Sequence, residues 1–124
     1  MPKQRAIVYL RRGKNLLSAL EQAETSRNWD GVATAGVQAA ISFADAFTIA
    51  KLGLRSRGQD HQEVIPLIAR IQTKSSSDLA ARVQTILNRK SEVEYGDRDV
   101  SAADARWIAQ VVRKVGALVS SALE

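Results

Sequence analysis

The sequence contains no cysteine. That absence excludes disulfides, cysteine-ligated zinc, iron–sulfur clusters and a thiol nucleophile together. It has one histidine, His61, so no multi-histidine metal site forms within one chain, and no other metal-ligand spacing or cofactor motif is present. Prolines number two, Pro2 and Pro66, so little in the chain interrupts helices. Long apolar runs are missing as well. The longest stretch without a charge is Gly31 to Ala44, 14 residues, which is too short to span a bilayer. The basic start has no sustained apolar core behind it, so a secretory signal is not expected. The expected location is the cytoplasm, with no membrane partner.

What is present is one domain's worth of chain. The 124 residues, 1–124, fit a single domain that buries roughly two thirds of its unfolded surface. The net charge of +5 is unevenly placed. Residues 1–14 hold Lys3, Arg5, Arg11, Arg12 and Lys14 and no acid, and the other 110 residues hold 13 bases and 13 acids. The basic segment lacks the aromatics of a single-strand platform. It reads as a weak nucleic-acid attractor or as a solvated helix face.

Apolar residues recur at three- and four-residue spacing almost throughout. The pattern predicts a helix over 4–24, with Leu10, Leu16, Leu17, Leu20 and Ala23 inward and Gly13 as a close packing point. A second helix over 29–54 is apolar nearly all round and is expected at the centre. One polar line crosses it: Thr34, Gln38, Ser42 and Asp45. A third helix is expected over 61–73, with Asp60 and Glu63 as a capping box and Pro66 forcing a later start or a kink. A fourth is expected over 78–93, capped by Ser75 and Asp78. Gly96 is placed to end it in the left-handed conformation. The fifth is expected over 102–123, capped by Ser101, with Trp107, Val111 and Leu118 widening its apolar face enough to meet a second subunit. The expectation is all-α: an antiparallel bundle of four to five helices with short connections.

The segment after the second helix carries the most chemistry. Lys51, Arg55 and Arg57 fall within seven residues with no acid among them, and Gly58 allows a close backbone approach. Guanidinium forks and a helix start at Asp60-His61 suit a phosphate. The same cations would also oppose the negative end of a helix. Histidine is the side chain whose ordinary pKa lies nearest neutrality, and His61 follows Arg55 by six residues. That pair suits metal-independent phosphodiester cleavage, provided a dimer brings two histidines together. Alternatively His61 packs at a helix start. Asp45, in the most buried helix, needs a partner; Lys90, Arg89 or an arginine of the loop are candidates. Asp97 and Asp99 read as ordinary turn acids before a helix.

The run Trp29-Asp30-Gly31-Val32 through Ala44-Asp45-Ala46-Phe47, then Arg55-Ser56-Arg57-Gly58-Gln59-Asp60-His61, resembles the HEPN domains (higher eukaryotes and prokaryotes nucleotide-binding). The later Lys90 to Gly96, then Ser101 to Ala105, resembles that family's last turn and final helix. The resemblance covers about 28–123. It implies a dimerising helical bundle acting around nucleotides or RNA, beside a nucleotidyltransferase or in a toxin–antitoxin pair. Arg55 and His61 match the spacing of the family's ribonuclease motif. Ser56 after the arginine, and the position of the motif after the central helix, depart from it and favour the binding branch. The expected function is therefore binding of a nucleotide or RNA through Arg55, Arg57 and His61, with Asp45, Lys90 and Tyr95 lining the same cleft. The alternatives are an endoribonuclease using Arg55 and His61 as catalytic residues, and a structural interaction module.

Overall fold

The computed structural model describes residues 2–56, 61–97 and 99–124, apart from the side chains of Glu94 and Tyr95. Among them are five α-helices, a short 3-10 turn at Lys3–Arg5 and no strand. The helices are α1 (Ala6–Thr25), α2 (Trp29–Leu52), α3 (Val64–Ala69), α4 (Ser76–Tyr95) and α5 (Ala102–Leu123). The all-α class read from the periodicity is the class observed.

Local chemistry sets the boundaries. After α1 the chain turns through Arg27 in the left-handed region, φ 57°. Asn28 then caps α2 by accepting the Gly31 N–H at 3.0 Å. Gly53, φ 69°, ends α2 and donates its N–H to Ile49 O. The Ser101 hydroxyl caps α5 by accepting from the Asp104 N–H at 3.1 Å.

Three local expectations are corrected. The third helix is six residues long rather than thirteen. It starts late enough to put Pro66 in its first turn, where a missing N–H costs nothing. Ser75 makes no side-chain cap on α4. Ser76 instead turns back to Thr73, accepting from its N–H at 3.2 Å and donating to its carbonyl at 3.0 Å. Gly96 is extended rather than left-handed, φ −67° and ψ 149°. The Asp60–Glu63 box and the Gly58 approach lie outside the described residues.

α2 occupies the centre, buried on nearly every side from Val32 to Ile49. By length and composition it is apolar enough to cross a membrane, yet 83% of its apolar window is buried by the other helices. Glycines decide how closely those helices approach. A Cβ on Gly13 of α1 would lie 2.8 Å from the Phe43 ring, and one on Gly116 of α5 would lie 3.0 Å from it. Phe43 therefore sits between two side-chain-free positions. Gly36 likewise meets Ile108 and Leu20, at 2.6 and 3.3 Å.

These pairs also give helix directions. Gly13 with Phe43 and Leu20 with Gly36 mean that α1 runs opposite to α2. Gly36 with Ile108 and Phe43 with Gly116 mean that α5 runs alongside α2 in the same sense. α4 returns towards the start of α5, where Arg89 pairs with Asp104 at 3.6 Å. On α5, Val111 is buried and Trp107 and Leu118 are half-buried within one chain. Arg89 covers Trp107, 4.9 Å from the ring centroid.

Candidate functional site

Because α1 and α2 are oppositely directed, the first turns of α1 lie beside the end of α2. Tyr9 and Arg12 are three residues apart and share a flank of α1. The left-handed Gly53 sends the chain back across that flank, and Arg55 comes to rest over Tyr9. The guanidinium carbons of Arg12 and Arg55 lie 4.9 and 5.3 Å from the centroid of the same ring. Both arginines are exposed, while Tyr9 is half-buried. An aromatic face attracts each cation. Two cations at one ring also repel each other, so together they raise the local positive potential.

Asp45 sits beneath this pair, 2% exposed. The hydroxyl of the buried Ser56 donates to Asp45 Oδ1 at 3.3 Å. Burial pushes the carboxyl up from its ordinary 3.8 to about 6. The Arg55 charge, then the Ser56 hydrogen bond, then the Arg12 charge pull against that shift. The result is a carboxyl that exchanges its proton near neutrality beneath two solvent-facing guanidiniums. A shallow recess of about 450 Å³ on α1, lined by Val8, Arg11, Arg12, Asn15 and Leu16, shares Arg12 with this pair.

The arrangement differs from the sequence expectation in membership. Asp45 feels the charge of a loop arginine, Arg55, and next that of Arg12 of α1, rather than that of Arg89 or Lys90. Arg89 is occupied by Asp104, Glu92 and Trp107. Lys90 follows Arg89 on α4, at the end of the molecule where the Val100 N–H bonds Asp30 at 3.1 Å. Asp30 and Asp45 are fifteen residues apart on α2, about 22 Å along its axis. The described contacts thus put Lys90, and Tyr95 beyond it, at the opposite end from Asp45. Arg57 and the Tyr95 side chain lie outside the described residues. Of the polar line on α2, Thr34 and Gln38 are exposed, while Ser42 and Asp45 are buried.

His61 is half-buried at the entry to α3 and takes a left-handed backbone, φ 60°. A non-glycine residue there is strained. The next residue, Gln62, accepts from the Gln84 amide at 2.9 Å and ties the turn to α4. Asp97 and Asp99 line a separate cavity of about 590 Å³ with Arg89, Glu92 and Asp104. No group of described residues is arranged to hold a metal ion.

Tyr9, Arg12 and Ser56 were not assigned to the site from the sequence. The available signal was the three-residue spacing of Tyr9 and Arg12, together with the opposed directions of the first two helices.

No family model, curated protein or solved structure matches this chain.

Proposed function

We propose that this chain is a HEPN-like antiparallel helical bundle that binds a phosphate-bearing ligand, a nucleotide or an RNA, in the cytoplasm and as a homodimer. The observation that carries the ligand class is the convergence of exposed Arg12 and Arg55 on the Tyr9 ring. Planar guanidinium forks match phosphate oxygens two by two. Asp45 acts as a positioning residue: with Ser56 it holds the segment that presents Arg55, and its burial leaves the ligand to the arginines. The dimer and a nucleotidyltransferase or antitoxin partner rest on the resemblance to the HEPN domains.

Titration calorimetry with nucleotides and short RNAs tests this reading. Binding that weakens in Arg12→Ala and Arg55→Ala supports it. No binding, or binding indifferent to both substitutions, overturns it.

The endoribonuclease reading draws on one observation, the strained backbone of His61 six residues after Arg55. Expression of the wild type against His61→Ala separates the two readings. If both leave host RNA intact, cleavage by Arg55 and His61 is excluded.

A further inference from the structure

The opposite flank of α1 carries a different surface. At 100° per residue, Ile7, Arg11 and Lys14 of α1 follow one stripe, with Lys3 of the preceding 3-10 turn at its start, while Tyr9 and Arg12 lie on the other side of the buried face. Along this stripe runs a recess of about 650 Å³, bounded also by Ala50 near the end of α2 and by Leu123 and Glu124 beyond α5. Its floor is apolar, formed by buried Leu10 and half-buried Ala50 and Leu123. Ile7 stands at its edge, 59% exposed, the most exposed large apolar side chain described. Lys3, Arg11 and Lys14 line it, and Glu124 is the one acid that does. That carboxylate is already paired with Lys14. Lys3 and Arg11 therefore face the recess with no acid of the lining left to them.

We infer that this recess docks an acidic amphipathic helix from a partner protein. One large aliphatic side chain of that helix rests against Ile7 and Leu10, and its carboxylates face Lys3 and Arg11. The length agrees: Ile7 to Lys14 spans about 10 Å of α1, two turns of an occupant helix. The cations set the sign of the partner, and the apolar floor requires an amphipathic one. A bilayer would press on a protruding face, whereas this floor lies in a concavity between helix ends. RNA would want rings to stack on, and the lining holds no aromatic residue.

The test uses the full chain and a synthetic helix with leucine on one face and glutamate on the other. The control peptide has the same composition in scrambled order. Fluorescence anisotropy is expected to show binding of the first peptide only. Ile7→Asp, and separately Lys3→Glu with Arg11→Glu, should each weaken it by about tenfold or more. All three positions are exposed, and circular dichroism confirms that the variants keep their helices. Arg55→Ala should bind the peptide as the wild type does, so failure here is distinguishable from failure of the phosphate site. Equal binding of the scrambled peptide, or no loss in Ile7→Asp, overturns the inference. So does binding to phosphatidylglycerol vesicles without binding to the peptide.

Discussion

Ser56 donates to Asp45 across an eleven-residue separation, and this one bond ties the segment after α2 back onto the helix it has just left. Both groups are buried. The bond therefore links the protonation of a core carboxyl to the placement of the adjacent Arg55.

Stability should carry the signature of Asp45. Its folded pKa, about 6, lies above its ordinary 3.8, so the folded state holds this proton more tightly than the unfolded state does. The contribution favours folding below about pH 4 and is lost as pH rises to about 6. Roughly two pH units at 1.4 kcal/mol each make it about 3 kcal/mol. Asp45→Asn cannot titrate. Thermal unfolding across this range should therefore show the variant gaining on the wild type as pH rises, with a constant difference above about pH 7. A difference that does not change with pH would contradict the assigned shift.

Anion binding should follow the same group with the same sign. A bound anion disfavours the ionised carboxylate, so protonating Asp45 should tighten binding. Sulfate does not titrate in this range and is the suitable probe. Its affinity should rise several-fold from pH 7 to pH 5 in a His61→Gln background, where His61 cannot contribute. Adding Asp45→Asn should flatten the profile, and calorimetry at each pH reads it directly.

Salt dependence gives an independent count of the arginines. If Arg12 and Arg55 each neutralise one phosphate of a single-stranded RNA, removing either should lower the slope of log affinity against log salt by about 0.7. Affinity at fixed salt should fall by about tenfold. An unchanged slope would place the lost arginine off the phosphate.

The core makes a sharper demand at Gly36. A methyl there would lie 2.6 Å from Ile108 Cγ2, a branch fixed close to the backbone that cannot swing aside. Gly36→Ala should destabilise by about 1–3 kcal/mol, despite alanine's better helix propensity. Ser101→Ala removes the cap on α5 and should cost about 1 kcal/mol. Chemical denaturation measures both.

Much of the scaffold was readable from spacing alone. The 3.6-residue rhythm locates α1, α2 and α5 to within two residues, because each is long and its apolar face repeats many times. All-round apolarity identifies α2 as the central helix, and Gly13 marks a close contact. The short α3 escapes this reading, since six residues hold too few repeats to set its ends. Ser76 replaces Ser75 at the start of α4 because its hydroxyl reaches Thr73, a choice that depends on loop geometry. The site was half readable. A carboxylate buried in an apolar helix must find a cation, and Arg55 was among the candidates. Arg12 precedes Asp45 by 33 residues, and nothing local links them. Their meeting depends on the rotation of α1 about its own axis, which is fixed where Gly13 receives the Phe43 ring.

Phe43 behaves as a key in two facing slots. Sliding α1 or α5 along α2 by a single residue, about 1.5 Å, would move a glycine off the ring and bring a Cβ-bearing neighbour towards it. The helices are thus indexed to one another, and Tyr9 and Arg12 are held at a set height opposite the end of α2. Compliance at the proposed phosphate site is left to residues 54–56 and to two long side chains. Exchange there should run at the nanosecond-to-microsecond pace of loops rather than at the slower pace of helix displacements.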